Sequence, residues 1–395
     1  MASSWNTVVQ DATDLRRRLH QRPELGWSET WTAAAIRGEL DRLGIAWRAC
    51  AGTGTVATLA AGGTGRHVAL RADIDAMPVH EATGASWTSQ VDGMMHACGH
   101  DGHTATLLGA ARWLHAHEDA LPGPVTLLFQ PAEEGGHGAR GMIDDGALDG
   151  VDVVFGWHNW PAIPFGLAVC PDGTVMCGNG TFEILVEGVG GHASQPEATR
   201  DPVLAAAAIT VAIQQVVSRR LPPQQPTVVA VTSIDAPSAA TVTPASARLG
   251  GSIRIADEAA RDEVGALIDE VAHHVAAGHG CRAQVVHQRR YGPTVNHPGP
   301  AAEMRGALAD ELGDGWRAGS TPVPIMASED FSYYLAEVPG AFALVGADDG
   351  QGHDASCHSP HYDFNDDLIA PVVRIYARLA GAPLPETEMR DRSTT

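Results

Sequence analysis

The sequence predicts a two-domain α/β protein, in which an open, mixed α/β sheet is interrupted by a smaller ferredoxin-like βαββαβ insert. Three observations predict it. At 395 residues the chain is longer than one hydrophobic core usually serves. Three short apolar runs, 67–71, 125–129 and 151–155, are separated by segments of helical spacing, and each runs into acidic or imidazole side chains. From about 179 to 290 the pattern changes to strand, helix, strand, strand, helix, strand. The boundaries read from this are 1–178 and 291–395 for one domain and 179–290 for the insert.

Taken in order, helical spacing opens the chain at about 11–20, and 30–43 reads as a helix ended by Gly44. Residues 67–71 read as a buried strand with Asp73 and Asp75 directly behind it. The next stretch, Met95-His96-Ala97-Cys98-Gly99-His100-Asp101-Gly102-His103, packs three histidines, a cysteine and an aspartate around two glycines. Thiolate, imidazole and carboxylate are the groups that bind a borderline transition metal, so this reads as half of a metal site. Helical spacing follows over 104–115, then the strand 125–129 leads into Gln130-Pro131-Ala132-Glu133-Glu134, and 151–155 delivers Gly156-Trp157-His158. Open α/β sheets collect ligand sites where their strands end, which makes these side chains neighbours in space.

Within the insert, 181–187 alternates as a half-exposed strand, Asp201-Pro202 opens an alanine-rich helix to about 217, and 227–234 and 247–255 read as strands. A helix over 257–277 and a strand over 283–289 complete it. The first pattern then resumes with a helix at 301–312, a strand at 341–345, the connection Cys357-His358-Ser359-Pro360, and a closing helix to about 379. The tail after Pro383 is charged and reads as loose.

Composition excludes several functions. The formal charge of -21 repels nucleic-acid phosphates and acidic membranes, and no run of about 20 apolar residues offers a membrane span. The chain contains no lysine, which removes a Walker-type phosphate loop and Schiff-base chemistry. Six scattered cysteines fit reduced thiols, and the first residues lack the pattern of a secretory signal, so a cytoplasmic location is expected.

The motifs His96-Ala-Cys-Gly-His-Asp-Gly-His103, Gln130-Pro-Ala-Glu-Glu134, Gly191-His192-Ala193, Ser328-Glu-Asp-Phe331 and His358-Ser-Pro360 together resemble the M20 metallopeptidase family. They are similar to its aminoacylase and amidohydrolase branch of hippurate hydrolases, auxin-conjugate hydrolases and N-acetyl-amino-acid deacetylases. The resemblance implies a catalytic domain holding two divalent ions (Zn, Mn, Co or Ni) and an inserted lid that forms a homodimer. It makes Cys98, His100, Glu134, His158 and His358 the metal ligands and Glu133 the catalytic base. Asp75, Asp101 and His103 become supports for the ligating imidazoles, and His103 could equally cap the helix that starts beside it. In the lid it implies that His192 polarises the scissile carbonyl in a neighbouring subunit and that Arg254 holds the substrate carboxylate. Two departures fall on the substrate side: Thr241 stands where relatives usually have asparagine, and Glu197 where many have histidine. The Ser-Gln-Pro-Glu stretch is similar to relatives assigned to N-acetyl-diaminobutyrate deacetylation. The expected activity is hydrolysis of N-acyl amino acids, with a dipeptidase or carboxypeptidase on the same scaffold, or a non-catalytic metal-stabilised binding protein, as the alternatives.

Overall fold

A computed structural model describes residues 4–385, so the tail from 386 onward lies outside the described residues. Helices α1 (Trp5–His20) and α2 (Thr30–Leu43) precede strands β1 (Trp47–Cys50), β2 (Gly54–Leu59) and β3 (Val68–Asp73). Then come α3 (His100–Ala116), β4 (Val125–Gln130), α4 (Gly138–Asp144), β5 (Val153–Pro164), β6 (Ala168–Val169) and β7 (Gly173–Met176). Next are β8 (Gly178–Glu187), β9 (Gly191–His192), α5 (Pro202–Gln215), β10 (Thr227–Asp235), β11 (Val242–Thr243), β12 (Ser246–Ile255), α6 (Ala260–Gly278) and β13 (Arg282–Arg289). The chain closes with β14 (Thr294–Asn296), α7 (Pro298–Leu312), α8 (Ser332–Glu337), β15 (Gly340–Asp348) and α9 (Ile369–Leu379).

Two compact units result: the larger runs up to Gly173, takes in Val295–Pro322 and resumes at Tyr333, and the smaller comprises Thr174–Thr294 with Val323–Ser332. By sequence pattern, 323–332 belongs with the catalytic part, 291–395. That stretch groups with the smaller unit, where the Cys177 N–H is shared between the carbonyls of Ile325 (2.9 Å) and Ala327 (3.0 Å).

In the larger unit a seven-stranded mixed sheet runs β1-β2-β4-β3-β5-β15-β6, parallel through β4-β3-β5-β15 and antiparallel at both edges. Strands β3 and β4 are buried along their whole length, which is why they read as unbroken apolar runs. The β1–β2 hairpin escaped the sequence reading because Trp47–Cys50 alternates weakly and carries an exposed arginine.

Two boundaries move the site residues. Helix α3 begins at His100, four residues before the expected start, because Gly99 supplies a left-handed cap at φ 93°. His103 is therefore a helical residue whose N–H donates to the Gly99 carbonyl at 3.0 Å, and the capping alternative falls. Gly102 lies under the Phe364 ring, against which any Cβ would clash. Strand β5 runs on well past Phe155, since pairing with β15 continues through Leu344 opposite His158. The histidine sits mid-strand, not in a loop behind it.

The smaller unit is the expected βαββαβ: β10-β12-β8-β13 form one antiparallel sheet, with α5 and α6 covering its apolar face through Ala205, Ile209, Ile213, Val264 and Ile268. With the π-helical turn Val216–Arg220, α5 becomes a 19-residue helix that is long and apolar enough by composition to cross a membrane, a run the sequence reading did not find. Its alanine and isoleucine stripe is instead occupied by packing under the sheet.

Candidate metal centre

The carboxyl ends of β3 and β4, the start of α3, the middle of β5 and the connection after β15 bring the expected residues of the larger unit together. Cys98, His100 and His158 form one group, Cys98, Glu134 and His358 a second, and His100, Glu133 and Glu134 a third. Within each, one potential ligand atom per residue lies within 4.8 Å of the others. The three groups overlap at Cys98, His100 and Glu134, so the residues bound one continuous site with room for more than one cation.

Neighbouring acceptors orient the imidazoles. His158 Nδ1 lies 2.6 Å from the Asn159 carbonyl, which can only accept, so this nitrogen carries the proton. His158 Nε2 is left facing Cys98 Sγ at 3.3 Å. In the same way His100 Nδ1 donates to Asp75, 3.0 Å from its carbonyl and 3.2 Å from Oδ1. His100 Nε2 is buried and makes no hydrogen bond to any described residue, although Asp73 Oδ2 lies 3.5 Å away. The other carboxylate oxygen of Asp75 accepts the Glu134 N–H at 2.9 Å, so one buried aspartate fixes both an imidazole and the acidic loop. Glu134 Oε1 is likewise buried and outside hydrogen-bond geometry, although His358 Nε2 approaches it to 3.2 Å. His358 adopts φ 70°, and its N–H is held by the Ala97 carbonyl at 2.7 Å.

Charge tells the same story. Burial pulls the His100 imidazolium down, but Asp73, Asp75 and Glu134 outweigh it and hold its pKa up to about 10. Burial, and then the charge of His103, pushes His158 well below the ordinary histidine value, as suits a neutral ligand. Thiol, imidazoles and carboxylates thus converge with two buried ligand atoms left open and an excess of negative charge. This donor set fits divalent metal ions.

Behind His100 stands Asp73, which the sequence reading noted at the end of β3 without a role. Its carboxylate accepts from His103 Nδ1 (2.6 Å) and Arg71 Nη1 (2.6 Å), and burial, which would raise its pKa, loses to Arg71, His100 and His103, which hold it well down. His103 Nε2 reaches Asn159 Oδ1 at 2.7 Å, tying α3 to β5. Asp101 does not fit its expected part: one residue further along the helix than His100, it points away, onto His20 (2.8 Å) and Arg16 (3.2 Å), and touches no imidazole of the site. Arg71 and Asn159 carried no signal in the sequence beyond their position near strand ends.

The smaller unit presents His192 on the exposed strand β9, paired with β11 so that it lies opposite Val242. Ser194 Oγ sits 2.8 Å from its Nδ1, and the Thr241 carbonyl accepts the Ala193 N–H at 2.9 Å, which places the departure at Thr241 beside the histidine turn. Glu197 is exposed in the turn Pro196–Ala198. Arg254, half-buried in β12, forms no ion pair with any described residue, and burial followed by the charge of Arg290 lowers its pKa.

Comparison with known proteins points the same way. The family model Peptidase family M20/M25/M40 matches residues 69–382. IAA-amino acid hydrolase ILR1-like 2 of Arabidopsis thaliana is 41% identical over 94% of this chain and 85% of its own. N-acetyl-L-cysteine deacetylase of Bacillus subtilis is 38% identical over 92% of this chain and 86% of its own. The crystal structure of the Bacillus subtilis YXEP protein, described as a dinuclear metal binding peptidase of the M20 family, superposes with a TM-score of 0.82 at 30% identity, covering 95% of this chain and 98% of that one. With the family's motifs gathered on its fold around a metal-competent donor set, the chain belongs to peptidase family M20/M25/M40 and is an enzyme of its metal-dependent amidohydrolase branch.

Proposed function

We propose that this enzyme hydrolyses the amide bond of N-acyl amino acids, N-acetyl amino acids foremost, to a carboxylate and a free amino acid, with N-acetyl-diaminobutyrate among its substrates. The observation that carries the reading is the placement of Glu133 beside Glu134 and His100, within 4.8 Å of both, at the edge of the donor set. Relatives named as an IAA-amino acid hydrolase and an N-acetyl-L-cysteine deacetylase support the class of bond.

In this reading Cys98, His100, Glu134, His158 and His358 hold two divalent ions per subunit. Bound there, such ions polarise a carbonyl and make water acidic enough to deprotonate near neutral pH. The Glu133 carboxylate takes a proton from the attacking water as its oxygen adds to the acyl carbon. As the C–N bond breaks, the Glu133 carboxyl returns that proton to the departing amine nitrogen. Asp75 holds the His100 imidazole with its proton on Nδ1, and Asp73 fixes His103 beside it. Arg254 receives the substrate carboxylate, for which a half-buried guanidinium without an acidic partner among the described residues is suited.

The enzyme acts as a homodimer in which His192 of one subunit serves the site of the other. Mixing Glu133→Gln with His192→Ala subunits should then restore activity, and proven subunit exchange without activity would mean that His192 acts within its own chain or is merely structural. The substrate class is tested by hydrolysis rates on N-acetyl amino acids, N-benzoyl-glycine and dipeptides after chelation and after readdition of Mn, Co or Zn. Metal-restored turnover of N-acetyl substrates is expected. Full activity in a metal-free preparation, or turnover confined to dipeptides, would overturn the reading.

A further inference from the structure

Two glutamates flank the turn before α2, and they divide the work unexpectedly. Glu29 is the N-cap residue of α2, the place where a side chain ordinarily satisfies the first helical N–H groups, yet it makes no such bond. Glu24 does it instead, accepting from Trp31 N (3.0 Å), Thr32 N (2.8 Å) and the hydroxyls of Thr30 and Thr32. The Glu29 carboxylate, completely buried, is freed to turn the other way. One oxygen accepts the Ala132 N–H at 2.8 Å and the other accepts the Thr53 hydroxyl at 2.6 Å.

Ala132 is an unusual residue to hold. It has φ 51°, left-handed backbone that an L residue with a Cβ rarely adopts and that neighbours must enforce. It directly precedes Glu133, so its backbone conformation sets where the next two side chains go. The enclosure is tight: a Cβ on Gly26 would lie 3.1 Å from both Ala132 Cα and Cβ, and one on Gly138 would collide with the Pro131 carbonyl. The Gln-Pro-Ala-Glu-Glu loop is thus pinned twice, by Asp75 at the Glu134 N–H and by Glu29 two residues earlier.

We infer that Glu29 is a positioning residue for hydrolysis: its buried carboxylate holds Ala132 in the left-handed conformation that aims Glu133 at the substrate, while Asp75 independently secures Glu134. This rests on the reading of Glu133 as the base. Burial raises the Glu29 pKa, against hydrogen bonds from Thr53 and Ala132 that lower it, as expected of a carboxyl whose oxygens serve the protein interior and not solvent.

The test compares Glu29→Ala, the near-isosteric Glu29→Gln and the double variant Glu29→Ala/Ala132→Gly in full-length enzyme loaded with Mn. Glu29→Ala should lower kcat on an N-acetyl amino acid by about 10²-fold, the cost of misplacing a catalytic group by roughly an ångström, with KM and Mn stoichiometry unchanged. Glu29→Gln, which keeps an acceptor oxygen, should lose less. In the double variant glycine adopts φ 51° without the Cβ, so kcat should recover by at least about tenfold over Glu29→Ala. Loss of Mn in step with kcat, a full kcat below the unfolding temperature of a destabilised Glu29→Ala, or no rescue by Ala132→Gly would each overturn the inference. If Glu133→Gln itself keeps wild-type kcat, the reading of the base has failed. If Glu133→Gln is inactive while Glu29→Ala is wild type, only the inference about Glu29 has.

Discussion

The two sides of the metal centre are built on different principles. On one side, Asp73, His100 and His103 are completely buried and each is held by at least two groups, among them Arg71, Asp75 and Asn159. On the other, the His358 side chain is 50% exposed and Glu134 17%, and Nε2 of the one lies 3.2 Å from Oε1 of the other. The first side is part of the protein's core; the second is a partly exposed edge whose side chains are less enclosed. Function and stability should therefore separate when each side is changed.

The largest effect is expected at Asp73. Asp73→Asn removes a buried carboxylate that pairs with Arg71 and accepts from His103, and should cost about 3–5 kcal/mol in urea unfolding, the range for losing one member of a buried charge pair. A cost below about 1 kcal/mol would mean that the buried wall is not structural.

The neighbouring pair His20–Asp101 sharpens the comparison through pH. Burial would lower the His20 pKa, but Asp101 holds it up to about 9, above the ordinary 6.5. A group whose folded value is raised contributes stability that is complete below pH 6.5 and is lost as pH rises through about 9, here on the order of a few kcal/mol. Unfolding free energy should fall across this window, and His20→Gln should flatten the fall. A slope unchanged in His20→Gln would remove His20 from the account.

The smallest effect on stability is expected at the edge. His358→Ala should change the unfolding free energy of the metal-free protein by less than about 0.5 kcal/mol while weakening metal binding in titration calorimetry. Strong destabilisation without a change in metal affinity would reverse the roles given to the two sides.

Legibility in the sequence follows the same division. That Cys98, His100, Glu134, His158 and His358 gather in one place was readable because thiol, imidazole and paired carboxylates stood in a familiar order, and the ferredoxin-like unit because its strands alternate and its helices carry an apolar stripe. What holds the ligands was not readable. Asp73 and Asn159 act through partners 30 and 56 residues away in sequence on α3, and Arg71 through Asp73 and Gln130. Glu24 and Glu29 look alike in the chain, and only packing shows that one caps a helix while the other serves the loop before Glu133. Asp101 sits inside the richest motif, yet starting α3 at His100 turns it from the site.

The central claim is that adjacent glutamates divide binding from proton transfer, and metal stoichiometry measured beside turnover in Glu133→Gln and Glu134→Gln tests it most directly. Glu133→Gln should retain the wild-type metal content and lose about 10³- to 10⁴-fold in kcat, whereas Glu134→Gln should lose metal. Equal metal content in the two variants, or wild-type turnover in Glu133→Gln, would contradict it.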